Sequence, residues 1–519
     1  MISLLGRNIK YADKIYMKLL LYLILLLLTL FNVYISSSLV RRGEVNFFND
    51  VARDFLLFQE MDQKKLVFIG PRSSTDNLFH GPLWTYMNYP AYVIGNGNPV
   101  VVAWYWILLE CFFLVTGFYM VKKIFNTLSA FAFIFLTSIQ MVPHMNGIFH
   151  AEAAFFFIPM FFFTICMYIK GKRNLYLVFH FLALAILIQL EIGVGIQFLI
   201  LSVALITWFI CKHRLWKHLF TFFLIPIFLS SFIIFDLRNN LRMITAILST
   251  GGSFHFFITF SSWIENRVNN TISLQLFNNG PNTFFAYILF GLVVVLTIIL
   301  IKNGSKYRHI YLLFLFYYFG YMILSFFNKG ILLFHYVYLL VPLTSLWIAS
   351  FLATKYKMLF LPFIGIIFYS GFIYATSYVA SRESSSFTGS DYNSWKSLSS
   401  VAKEVIDLQG NKEFGYFVFA PDAFAYQPRY AMIYNFKKAG VKAFEYAKKP
   451  ITYIIAAPPP ADNPYMTHVW WRKVQVKILS EPIEIKKFPS GFIIEKFNLS
   501  PEEQRIPHVK AIELGIHFR

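Results

Sequence analysis

Apolar residues run through this chain in blocks of about 20, the length a helix needs to cross a bilayer. Eleven blocks approach that length, near 17–39, 100–121, 124–143, 151–169, 174–190, 192–211, 219–236, 284–301, 310–328, 331–353 and 358–379. The fifth and sixth are short and meet at a polar kink. The loops between blocks alternate in charge. Arg7/Lys10/Lys14, Lys122/Lys123, Lys170/Lys172/Arg173, Lys212/Arg214/Lys217, Lys302/Lys306/Arg308 and Lys355/Lys357 fall in every second connection, with Asp13 the exceptional acid. Short loops rich in Lys and Arg stay in the cytoplasm. The expected topology is therefore about 11 transmembrane helices, a cytoplasmic N-terminus and an outer C-terminus. The first block is read as a retained helix. Ser36 and Ser38 would suit cleavage, but the run is longer than a signal-peptide core.

Three stretches lie outside the blocks: outer loops at 40–99 and 237–283, and a tail at 380–519. The expected organisation is a transmembrane catalytic domain (1–379) and an extracytoplasmic soluble α/β domain (380–519). The tail opens with a Ser-rich linker at 382–390. A helical pattern follows at 395–408, then β-like runs at 414–419, 451–456 and 474–479. A hairpin pattern closes it at 483–488 and 492–497, around Pro489-Ser490-Gly491. About 140 residues can bury their own core.

Composition agrees. Of 519 residues, 57% are hydrophobic, 20% aromatic and 14% charged, against roughly 25% charged in soluble domains. That excludes an ordinary cytosolic enzyme, a disordered chain, a collagen and a disulfide-stapled module. The net charge of +20 would suit nucleic acid, but its placement in alternate loops reports membrane orientation instead, so no nucleic-acid partner is expected. Cys111, Cys166 and Cys211 lie in or beside apolar runs and read as small buried hydrophobes.

Ionisable groups at membrane edges are costly and mark functional sites. Most lie at the outer ends: Asp50, Arg53, Asp54, Arg72, His80, His144, His150, Glu152, Glu191, Asp236, Arg238, Lys329 and His335. Glu110 falls in mid-span. Along 49–58, positions 50 and 54 share a helical face beside Arg53, with Val51, Phe55 and Phe58 opposite. This reads as a helix on the membrane surface presenting two acids and a guanidinium. One acid is a candidate base, or the group is an internal ion pair. Gly70-Pro71-Arg72-Ser73-Ser74 and Phe79-His80-Gly81-Pro82-Leu83-Trp84-Thr85-Tyr86 are turn sequences. They present Arg72 and His80 either to a phosphate or simply to solvent. Glu152 enters an almost pure Phe helix and needs a partner. That partner is His144 or His150 in a salt link, or a divalent ion held by all three.

These motifs resemble the GT-C membrane glycosyltransferases, in particular the protein O-mannosyltransferases, the lipid A aminoarabinose transferases and their bacterial cousins. The cousins read D-Q-A-R-D, G-P-P-T-S and F-H-G-P-L-Y-Y-Y in the first loop. Phe235-Asp236-Leu237-Arg238 is similar to their F-D/E-L-R. His335-Tyr336-Val337 with Pro342 is similar to H-Y-V-x-P-x-x-P, and 488–496 to the closing F-P-x-G motif. The matches span 50–496 in order. Val51 departs from the usual acidic or amide second position. Glu191 stands where a cousin Q-L-H has histidine, and a second proline near Leu339 is missing.

The resemblance implies an inverting transferase. It would move a sugar from a polyprenyl-phosphate-linked donor to an extracytoplasmic acceptor (glycan, lipid or protein) at the cell membrane. Asp50 matches the base, with Asp54 as its substitute, and Glu152 matches a second acid that helps bind substrate or base. Arg53 orients Asp50 or touches phosphate, and His80 matches a cationic phosphate contact. Arg72, Asp236, Arg238, His335 and Tyr336 are weaker phosphate or sugar candidates. Some relatives use a divalent ion and others do not, so the metal is left open, with His144 and His150 as candidate ligands. The main rival is a transporter or flippase of a lipid-linked substrate. It would place charge at mid-membrane among inverted repeats, whereas here Glu110 alone is central and no repeat is seen. A glycan polymerase or ligase and a wall-binding scaffold are further alternatives.

Overall fold

The structure, a computed structural model, describes residues 2–73, 76–249, 260–274, 283–327, 332–410, 412–422, 424–460 and 462–513. Ser74, Lys329 and part of the 237–283 loop lie outside the described residues.

Helices form where the apolar blocks were expected. Among the described residues seven are long and apolar enough to cross a membrane, or eight if the bent pair Trp216–Phe228 and Ser230–Arg238 is one span. Thr127–Met141, Asn174–Leu190 and Arg308–Ser325 fall on three of the other expected blocks. The seventh block is not one straight helix: its halves bend by 53°. The kink between the fifth and sixth is Glu191. Its backbone is extended, and its side chain accepts from the Gly193 amide at the start of Ile192–His213. One face of the first helix remains apolar and uncovered through Leu19, Leu23, Leu27 and Leu30, as a lipid-facing surface requires.

Basic loops expected on one side are neighbours. The Tyr307 hydroxyl donates to the Phe125 carbonyl at 3.4 Å. Lys172 Nζ lies 3.2 Å from His213 Nδ1, and Tyr168 pairs with His218 at 3.1 Å.

The tail builds a five-stranded sheet: β1 (Phe414–Phe419), β2 (Ala443–Glu445), β3 (Ile451–Ala456), β4 (Glu484–Lys487) and β5 (Ile493–Asn498). The order is β2-β1-β3-β5-β4, with β1 parallel to β2 and β3 and the remaining pairs antiparallel. Two expectations change. Residues 474–479 are not a strand: Arg472–Val476 is a helical turn that buries Arg472 and Val476. The Ser-rich stretch is not a linker but the end of the 32-residue helix Lys357–Thr388. Tertiary contacts outweigh the weak helix propensity of serine there. Glu383 pairs with Arg42 at 3.0 Å, Arg382 with Asp391 and Asn46, and Ser386 with Glu44.

The first outer loop and the tail share one core. Tyr430, from the helix Tyr426–Ala439, packs against Phe47 and Phe55, and Trp395 also packs on Phe47. Tyr430 donates to the Gly97 carbonyl at 2.6 Å, and the Phe47 amide donates to Asn393 at 2.7 Å. The buried Glu44 accepts the Val45 and Trp395 amides at 2.9 Å each and bonds Ser394 at 2.6 Å. Asn49–Lys64 is therefore no surface helix: residues Val51, Ala52 and Arg53 through Phe58 are all buried.

Candidate active site

The helix Asn49–Lys64 sets three charges in order. Arg53 Nη1 donates to Asp50 Oδ1 at 2.6 Å, while its Nε and Nη2 both donate to Asp54 Oδ1, at 3.1 and 3.0 Å. Nη1 also reaches the Arg72 carbonyl at 3.4 Å. The two acids differ sharply in surroundings. The Asp50 side chain is 45% exposed and that of Asp54 2%. Asp54 Oδ2 accepts the Trp84 indole N–H at 2.7 Å. Burial raises the Asp54 pKa to about 6, against the opposing pull of Arg53 and Trp84. Asp54 is thus held on both oxygens, and Asp50 is the acid that faces solvent.

The two turn motifs form a short ladder. The Gly70 amide donates to the His80 carbonyl at 2.8 Å and the His80 amide to Pro71 at 2.9 Å; Arg72 bridges Phe79. A Cβ on Gly70 would stand 2.3 Å from the Gly81 oxygen, and one on Gly81 2.6 Å from Gln189 Cβ. Glycine is needed at both positions so that backbones can touch. The Gly81 amide then donates to the Gln189 carbonyl at 2.7 Å, fastening the loop to the end of Asn174–Leu190.

This fastening turns His80 inward. Its ring lies 4.2 Å from that of His150 and reaches the Leu190 backbone. Burial first, then the neighbouring His150, Arg53 and His335, push its pKa well below the ordinary value. Burial therefore disfavours the cationic form of His80 that a charged phosphate contact would use. His150 Nδ1 lies 3.8 Å from Asp54 Oδ2. His335 is close enough to Asp50 to feel its charge and meets the Phe149 ring edge-on at 5.7 Å. Tyr336 packs over Gly193, beside Glu191.

Glu152 belongs to an adjoining pair. Its Oε1 lies 2.6 Å from His144 Nδ1, and that imidazole packs at a tilt against Tyr338, 3.9 Å between ring centres. The structure therefore does not gather His144, His150 and Glu152 around one point. His150 turns instead toward His80 and Glu191; donor atoms of these three lie within 4.8 Å of one another. Asp236 is a capping residue: its oxygens accept the Met243 and Ile244 amides at 2.7 and 3.0 Å. Arg238 and Arg72 are exposed and lie over Phe68 and Phe424. Glu110 is fully buried at mid-span and accepts from Ser36 at 3.1 Å.

Trp84 is the site residue that sequence reasoning missed. It lies inside the quoted motif, and a buried indole N–H demands an acceptor. That demand was the available signal. Asn88 supports it, donating to the Trp84 carbonyl at 2.9 Å and accepting from Trp106 at 3.0 Å.

No protein-family model and no curated protein sequence matches the chain. Solved structures do. ArnT from Cupriavidus metallidurans in the apo state superposes with a TM-score of 0.58 at 9% identity, covering 91% of this chain and 97% of that one. The same protein bound to undecaprenyl phosphate gives 0.55 at 10% identity, covering 92% and 98%. Sequence identity this low makes the likeness one of fold. With its run of membrane-length helices and its small terminal sheet, the chain is a multi-pass membrane protein that shares the fold of those ArnT structures.

Proposed function

We propose that this protein is an inverting glycosyltransferase that moves a sugar from a polyprenyl-phosphate-linked donor to an extracytoplasmic acceptor. The observation that carries the reading is Asp50, a half-exposed carboxylate bound to a buried guanidinium on a fold shared with a structure solved with undecaprenyl phosphate. Inversion in one displacement needs a base for the acceptor's proton, and a carboxylate at the lipid–water boundary provides it. Arg53 holds Asp50 and Asp54 holds Arg53, so the base is oriented without burial of its own oxygens. Of the basic candidates, exposed Arg72 is best placed to meet the leaving phosphate, because its backbone already touches Arg53. His335 lies close enough to Asp50 to feel its charge, and Glu152 pairs with His144.

The same reading sets orientation and domains. The basic loops lie in the cytoplasm. The Asp50 cluster and the tail, 380–519, lie outside, where the tail covers the first-loop helix. The contacts among basic loops at one end support this. The test is direct. Purified protein given a labelled polyprenyl-phosphate sugar and an extract of envelope acceptors releases polyprenyl phosphate. Movement of intact lipid-linked sugar across vesicles with no release would replace the transferase reading with a flippase.

A further inference from the structure

Behind the Asp54–Trp84 contact lies a second group that the proposed transfer chemistry does not use. His80 comes from the first-loop turn, His150 from the start of a membrane helix, and Glu191 from the break between two others. All three are buried, with relative exposures of 6%, 4% and 2%. One donor atom from each lies within 4.8 Å of the other two.

Their hydrogen bonding is incomplete. Among the described residues, His80 Nδ1 and His150 Nδ1 are buried with no hydrogen-bond partner. A buried imidazole nitrogen left unpaired costs about 1–3 kcal/mol, and here two stand side by side. Glu191 accepts from the neutral Gly193 amide at 3.3 Å, a weak partner for a buried carboxylate. The His80 ring also meets the Leu190 backbone. A ring nitrogen held by backbone fixes the tautomer and leaves the other nitrogen as a donor, the usual arrangement behind a metal-bound histidine.

Charge points the same way. Around the two imidazoles stand Arg53 and three carboxylates, Asp50, Asp54 and Glu191. A cation bound among these groups meets the Glu191 carboxyl directly and has Asp54 close behind, 3.8 Å from His150 Nδ1.

We infer that His80, His150 and Glu191 form a binding site for a divalent transition-metal ion of the zinc class. Two imidazoles and a carboxylate select such an ion over magnesium or calcium, which prefer all-oxygen sets. Donors around a tetrahedral ion with bonds of about 2.1 Å stand roughly 3.4 Å apart, so the ion draws the three side chains inward. Three protein donors leave a fourth position for water or an anionic oxygen. The ion ties the 70–82 turn to the ends of three membrane helices, and it satisfies both orphaned nitrogens. The site does not depend on the transfer reaction: the ion can bind whether or not the protein is a transferase.

The test uses the purified full-length protein in detergent, stripped with a chelator and titrated with cobalt(II). The expected result is saturable binding of about one ion per chain with visible absorption typical of four-coordinate cobalt, reversed by zinc. His150→Ala and the isosteric Glu191→Gln weaken binding by more than about tenfold, while His144→Ala binds as wild type does. Monodisperse elution and unchanged helical circular dichroism qualify each variant; if His150→Ala does not fold, Glu191→Gln carries the test. Absence of saturable cobalt binding in the wild type overturns the site, as does wild-type binding by a folded Glu191→Gln.

Discussion

Asp50 and Glu152, two of the acids proposed for the site, live in different kinds of surroundings. Asp50 belongs to a chain of contacts running through Arg53, Asp54 and Trp84, and its own side chain still reaches solvent. Glu152 is joined to one imidazole, and its other oxygen is buried with no partner among the described residues. Of the two, Asp50 is the acid free to act. A carboxylate held on one oxygen by a fixed cation keeps its geometry and its access. One sealed in a pair beside Tyr338 keeps neither without rearrangement.

The contrast can be broken experimentally. The largest effect falls on Asp50→Asn, which removes the base and lowers polyprenyl-phosphate release by about 10²–10⁴-fold with folding intact. Tyr430→Ala takes out the aromatic that clamps the tail on the Asp50 helix. It destabilises the protein by about 3 kcal/mol, read as a drop in thermal midpoint. Trp84→Phe leaves Asp54 Oδ2 without its donor, costing about 1–3 kcal/mol and reducing activity through Arg53. Glu152→Gln changes a pair and not the base, so release falls roughly tenfold, the worth of one hydrogen bond to a charged group, about 1.5 kcal/mol. Asp236→Ala removes a cap and costs about 1 kcal/mol, with release near normal in the folded protein. A collapse of activity in Asp236→Ala without loss of stability would return that residue to the substrate site.

Much of the fold was legible because its signals are local. Apolar blocks of bilayer length gave the helices, and the runs at 414–419 and 451–456 coincide with β1 and β3. The helix Tyr426–Ala439 was not legible, since its aromatic residues point several ways: Tyr430 meets the first loop and Phe436 meets the sheet. The polar stretch 382–390 read as a linker because the partners of Arg382 and Ser386, namely Glu44, Asn46 and Asp391, are not visible in its local pattern. The Asp50–Arg53–Asp54 grouping was visible from helical spacing, but spacing cannot say which acid is buried. Only the docked tail and the Trp84 indole decide that. His80, His150 and Glu191 come from three distant segments, so no local pattern could have joined them.

The most direct measurement compares Asp50→Asn with Asp54→Asn in one assay of polyprenyl-phosphate release from a labelled donor, each variant first shown to fold. The expected result is an inactive Asp50→Asn, while Asp54→Asn keeps a measurable fraction of wild-type release because Asp54 only holds Arg53. Full release by a folded Asp50→Asn, with Asp54→Asn inactive, would contradict it and move the base one helical turn inward.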